Sequence, residues 1–279
     1  MGLRQALVLA VSWLAVGEAS RLTALDRPVV AAAAPTASPD AAVEGWRIES
    51  TDSQVKIEPH APVRIENRFG DVRLRSNRLP ELAVRAALQH SLAEPALRVE
   101  LVQVSGEWRL TVVEPSETAR RGDGPPRRAD LAVVLPPDCP VTVLGGKGLV
   151  EARGFSARLA VETSSGEVRL RGSGAVAVRS ESGPVRMAFH PSVPSAPSRI
   201  ETTTGAVEVE LPPHADLDAR LESQGSFTTD FSLDVERIGP LTKRARAHLG
   251  SGGPELRLVS RSGALSLLER VADSSAASP

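Results

Sequence analysis

The chain has 279 residues, enough for one sizeable core, and its 33 basic and 34 acidic side chains leave a net charge of −1. That balance excludes the overall positive field on which nucleic-acid binding rests, and the single cysteine, Cys139, excludes an intramolecular disulfide and a cysteine-based metal site. With 3% aromatic residues, no tyrosine, and 22 glycines and 22 prolines, the composition suits thin layers of aliphatic side chains on many short strands with many corners.

In chain order, Arg4 precedes an apolar run from Ala6 to Val16 and then small residues. The run is short for a bilayer span and has the length of an export-signal core. Residues 1–19 are therefore expected to be a signal peptide, with Gly17 and Ala19 fitting the small-x-small rule and residues 31–34 offering a second cleavage site. Residues 20–45, rich in Ala, Pro and Ser, read as a disordered linker, 46–270 as one β domain without a transmembrane span, and 271–279 as a disordered tail.

From Trp46 onward alternation is the rule and helical periodicity is nearly absent. "VRIENRFGDVRLR" places Val63, Ile65, Asn67, Gly70, Val72 and Leu74 in a unit of strand, tight corner, strand. "LAVRAAL", "ALRVELVQVSGEWRLTVV" and "ADLAVVLP" continue as strands without that corner, and Pro115 to Arg128 reads as a long polar loop. The unit then returns: worn at Val141, Val143, Gly148 and Val150, clear at Val161, Thr163, Gly166 and Val168, at Val178, Ser180, Gly183 and Val185, and at Ile200, Thr202, Gly205 and Val207. "RLESQGSFTTDF" is one residue short before Gly225, and the last copy holds Leu258, Ser260, Gly263 and Leu265. His190 to Ser198 and Val235 to His248 read as loops between copies.

A period of about twenty residues with one strand–corner–strand per unit is the pattern of a solenoid, in which each coil buries its apolar side on its neighbours. The fold expected is all-β, with Val72, Val168, Val185, Val207, Phe227 and Leu265 as one inward column. Asn67, Thr163, Ser180, Thr202, Ser223 and Ser260 form a polar corner ladder. Gly70, Gly166, Gly183, Gly205, Gly225 and Gly263 mark corners that need a positive φ or cannot hold a Cβ. Arg73, Arg169, Arg186, Glu208 and Arg257 are read as one outward stripe, largely basic.

The "VETSSGEVRL" unit, the "LAVVLPP" lead-in, "GSFTTDF" and the closing "GSGGPELRLVSRSGALSL" resemble the bacterial putative-adhesin family called domain of unknown function 4097, related to GIN-type adhesin head domains. The resemblance covers Trp46 to Leu268. It implies a single-stranded right-handed β-helix outside the cytoplasmic membrane, periplasmic or at the cell surface, with no catalytic residues and no cofactor.

Function is expected to lie in presenting an extended surface to an envelope protein or a surface polymer, not in catalysis. Arg120, Arg121, Arg127, Arg128, Lys243, Arg244 and Arg246, on the two long loops, are the binding candidates. A signalling accessory or structural protein of the envelope is a second reading, with end-to-end self-association through a bare end coil. A polysaccharide-active enzyme is a third; it needs clustered carboxylates, and the best local group is Asp216 and Asp218 beside His214.

Overall fold

The computed structural model describes residues 46–92, 96–114 and 127–270. The expected signal peptide, linker and tail lie outside these residues, as do Arg120 and Arg121. Among the described residues the chain is all β, with 21 strands and no helix. They are β1 (Trp46–Lys56), β2 (Val63–Asn67), β3 (Val72–Ser76), β4 (Glu81–Ser91), β5 (Arg98–Val104), β6 (Glu107–Val113) and β7 (Arg128–Leu135). There follow β8 (Val141–Gly145), β9 (Val150–Phe155), β10 (Leu159–Thr163), β11 (Val168–Gly172), β12 (Val176–Ser180), β13 (Val185–Phe189), β14 (Ser198–Thr202) and β15 (Val207–Leu211). The last are β16 (Leu217–Ser223), β17 (Phe227–Thr229), β18 (Asp234–Arg237), β19 (Lys243–Leu249), β20 (Glu255–Ser260) and β21 (Leu265–Glu269).

The strands form two sheets over one shared core: an 11-stranded one containing β2 and a 10-stranded one containing β3. From β8 to β15 the chain alternates between them, and each strand pairs in parallel with the next strand of its own sheet. Alternation sends every second side chain inward, and the register superposes like on like. Val150, Val168, Val185 and Val207 lie directly opposite one another across four strands of the β3 sheet and are at most 1% exposed. Cys139 is fully buried, and that burial pushes its thiol pKa up, which makes it a structural residue.

Two features depart from a single coil wound in sequence order. Antiparallel strands close both ends: β4 and β1 extend the β3 sheet, β5 extends the β2 sheet, and β19 and β18 extend it at the far end. The segment Val235 to His248, expected as a loop, thus supplies a hairpin whose alternating Ala245, Ala247 and Leu249 are buried. The order of the copies also differs from their order in sequence. β20 inserts between β14 and β16, and β21 between β15 and β17, so Leu265 sits between Val207 and Phe227. At the other end β2 and β3 lie between β6 and β8 and between β7 and β9.

The corners carry the most exacting packing. None of the six expected corner glycines has a positive φ; each is glycine because neighbouring backbone passes too close, the start of β7 for Gly70 and an adjacent corner for the other five. A Cβ on Gly166 would lie 1.9 Å from the Gly148 carbonyl oxygen, one on Gly183 would lie 2.0 Å from that of Gly166, and one on Gly205 would lie 2.2 Å from that of Gly183. The polar ladder beside them serves this backbone: the hydroxyls of Thr202 and Ser180 donate to the Gly205 and Gly183 carbonyls at 2.6 and 3.1 Å, and Ser223 donates to Gly263 at 2.7 Å. The carbonyls at these three turns are thereby satisfied.

Candidate functional site

The outer face of the β3 sheet does not carry the expected basic stripe. Glu151 stands between Arg73 and Arg169 in the row, and Arg257 belongs to β20 in the other sheet. Glu151, almost buried, accepts from Arg75 at 2.9 Å and faces Arg153 at 2.5 Å, and Glu167 bridges Arg169 and Arg186 at 2.7 and 2.9 Å. The face mixes the two signs: the row through Arg73 reads Arg73, Glu151, Arg169, Arg186 and Glu208, and the next row holds Arg75, Arg153 and Arg171 in register before it turns to Ala188 and Glu210. The bond from Arg75 holds the Glu151 carboxyl below the usual carboxylate range, and that from Arg169 does the same for Glu167. A depressed folded-state pKa stabilises the fold above the unfolded value, and the gain disappears as pH falls through the folded one. We therefore expect the melting temperature to decline from about pH 4.5 downward. In Glu151→Gln it should be lower at neutral pH and decline less on acidification, as thermal melts across that range would show.

The β2 sheet carries the longer run of arginines. Across β14, β20, β16 and β19 one outward row reads Arg199, Arg257, Arg220, Arg246, each residue directly opposite the next. The local sequences set this placement: Ile200, Leu256, Leu258, Ala219, Leu221, Ala245 and Ala247 alternate with the arginines and are buried, which turns every guanidinium outward. Neighbouring strands lie about 4.8 Å apart, so the row is a ladder of positive charge at that step. Three members have a carboxylate partner: Arg199 pairs with Glu201, Arg220 with Glu255 at 3.3 Å, and Arg246 with Glu236 at 3.4 Å. Arg257 has no ion pair among the described residues. Arg244, beside the ladder on β19, lies 3.3 Å from Glu222 and 3.5 Å from Glu236.

Arg220, Arg244, Arg246, Arg257, Leu221 and Glu222 line a concavity of about 340 Å³. Its lining holds four guanidinium groups and one carboxylate, Glu222, while Glu236 and Glu255 pair with Arg244, Arg246 and Arg220 from outside the lining. Exposed ion pairs of this kind contribute about 0–1 kcal/mol each, so an incoming anion displaces them at little cost. The planar fork of each arginine suits carboxylate, sulfate or phosphate oxygens.

Of the expected binding residues, Arg244 and Arg246 join this site. Lys243 instead lays its ammonium over the Phe227 ring, 5.3 Å from the centroid, at the end of the core. Arg127 and Arg128 sit at the opposite end of the stack; Arg127 pairs with Glu114 at 3.0 Å, and Arg128 with Asp130 at 2.7 Å and Asp71 at 3.1 Å. Asp216 and Asp218 organise the turn between β19 and β20. Asp216 accepts the Ser251 N–H at 2.7 Å, and Asp218 lies 2.7 Å from Nδ1 of His248. Sequence reasoning did not bring Arg199, Arg220 and Arg257 together, because they meet only through the altered order of the strands. The available signal was "KRARAHL", whose strict alternation marks a strand with an arginine face.

The fold and this face together define an all-β repeat protein with a registered row of four arginines on the β2 sheet. It is similar to a putative cell adhesion protein from Clostridium sporogenes at 13% identity and a TM-score of 0.44, over 79% of this chain and 100% of that one. It is also similar to putative adhesins from Bacteroides fragilis and Parabacteroides distasonis, each at 10% identity. Their TM-scores are 0.30 and 0.24, over 79% and 78% of this chain and 97% and 96% of those. No family model matches the chain, and no curated protein matches it. The resemblance to domain of unknown function 4097 therefore rests on the repeat residues alone.

Proposed function

We propose that the chain is an exported, non-catalytic β-solenoid that holds an anionic polymer at the cell envelope along its arginine ladder. The observation that carries this reading is the register of Arg199, Arg257, Arg220 and Arg246 on four adjacent strands. A linear ligand with anionic groups along its length gains from such a row at several points at once. The pattern of residues 1–19 supports export. In this reading the winding is right-handed, which the parallel strand–crossover–strand connections from β8 to β15 support, since the hand of such connections is right in nearly all proteins.

The test is binding of the full chain to polygalacturonate, with neutral dextran as the control, followed by calorimetry. Saturable binding to polygalacturonate that weakens with salt is expected, with at least a tenfold loss in the double variant Arg220→Glu/Arg257→Glu. Arg169→Glu on the other sheet should leave it unchanged. Equal binding by the double variant, or equal binding of dextran, removes the ladder from the function.

A further inference from the structure

A second basic site lies away from the ladder, where the turn Arg68-Phe69-Gly70 stacks against Gly146-Lys147-Gly148. The two turns continue β2 and β8, which are neighbours in register, with Asn67 opposite Gly145. The stacking is tight: a Cβ on Gly148 would lie 2.0 Å from the Gly70 carbonyl oxygen, and one on Gly146 would lie 2.8 Å from that of Arg68. With no side chain at these glycines, a concavity of about 960 Å³ opens beside the turns, lined among others by Arg68, Phe69, Lys147, Leu149 and Arg128.

The charges in it are unevenly satisfied. Asp71, which also lines it, is fully engaged: it accepts the Leu149 N–H at 3.0 Å and pairs with Arg128 at 3.1 Å and Arg73 at 3.5 Å. Arg68 and Lys147 are both exposed, and neither has an ion pair or side-chain hydrogen bond among the described residues. In the same turn positions stand Ser164-Ser165, Glu181-Ser182, Thr203-Thr204 and, in the last copy, Arg261-Ser262, so among the described corners two cations on neighbouring corners occur at this end. Gly146 rests on Arg68, so Arg68 and Lys147 stand on neighbouring corners one turn position apart; an arginine fork and a lysine ammonium so placed match the oxygens of a doubly charged group better than a single carboxylate. Phe69 and Leu149, both half-buried, give the concavity an apolar wall.

We propose that this corner concavity binds a phosphoryl group between Arg68 and Lys147, with Arg128 at its rim and the apolar remainder of the ligand against Phe69 and Leu149. The site is independent of the ladder and of the reading built on it. The phosphoryl group belongs either to a soluble phosphomonoester or to a lipid headgroup, and two arms of one experiment separate these sources.

In the first arm the full chain is titrated calorimetrically with inorganic phosphate and with phenyl phosphate. In the second it is sedimented with phosphatidylcholine vesicles with and without phosphatidic acid. Phenyl phosphate should bind saturably and more tightly than inorganic phosphate. Arg68→Ala/Lys147→Ala should weaken it at least tenfold with an unchanged melting curve, Lys147→Arg should retain it, and Arg220→Glu/Arg257→Glu should leave it intact. Sedimentation that needs phosphatidic acid and is competed by phenyl phosphate identifies a lipid ligand; saturable binding in solution alone identifies a soluble one. No saturable binding in either arm, or equal binding by Arg68→Ala/Lys147→Ala or by Lys147→Glu, overturns the proposal.

Discussion

Gly183→Ala is expected to cost about 3 kcal/mol or more and to lower the melting temperature by roughly 6–12 °C, values that follow from overpacking a tight interior site in a domain of this size. The added Cβ would lie 2.0 Å from the Gly166 carbonyl oxygen and 2.9 Å from the Ser165 carbonyl carbon. Neither can retreat, since Gly166 is itself stacked on the Gly148 carbonyl and Gly205 rests on Gly183 from the other side. Relief therefore has to displace several corners together. A second substitution separates this cause from backbone strain. Gly183 does not have a positive φ, so asparagine, which tolerates the left-handed region, should be at least as damaging as alanine. If Gly183→Asn melted clearly above Gly183→Ala, close stacking would not be the reason for the glycine. Gly239→Ala is the control: its Cβ would meet nothing nearer than Thr242 at 3.8 Å, and its melting temperature should stay near that of the natural chain.

The inward columns and the polar corner ladder were legible in the sequence because each rests on a local rule. Alternation decides which side chain is buried, and a small hydroxyl three residues before a glycine is in reach of a turn carbonyl, as Thr202 is of Gly205. The order of the copies was not legible. Val207, Leu265 and Phe227 are equivalent apolar residues at equivalent slots, and nothing in that pattern says which pair should touch. What decides it is the edge left open. The antiparallel pairing of β16 with β19 covers one edge of β16, and the turn after β19, with Gly250, Gly252 and Gly253 at positive φ, brings β20 to the other edge. The arginine ladder was hidden for the same reason. Its members come from positions 199, 220, 246 and 257, and they form a row only when β20 lies between β14 and β16.

Removal of the last copy, residues 254–270, should therefore do far more than shorten the stack. If the coils lay in sequence order, the truncated chain would keep every other pairing and melt almost as before. In the structure β20 and β21 are the internal layer between β14 and β15 on one side and β16 and β17 on the other. Their loss removes Leu256, Leu258, Leu265 and Leu267, all at most 1% exposed, and separates β16 to β19 from the rest of the sheets. Each buried leucine is worth roughly 1.5–3 kcal/mol, so the four together approach the whole stability of an ordinary domain, about 5–15 kcal/mol. We expect the amides of β16 and β19 to lose their protection against hydrogen exchange, while β10 to β13, three or more strands away from the cut in each sheet or shielded by β14 and β15, keep at least part of theirs. Retained protection in β16 and β19 after the truncation would show that these strands can pair directly with β14 and β15. The inserted position of the last copy would then not be required by the fold.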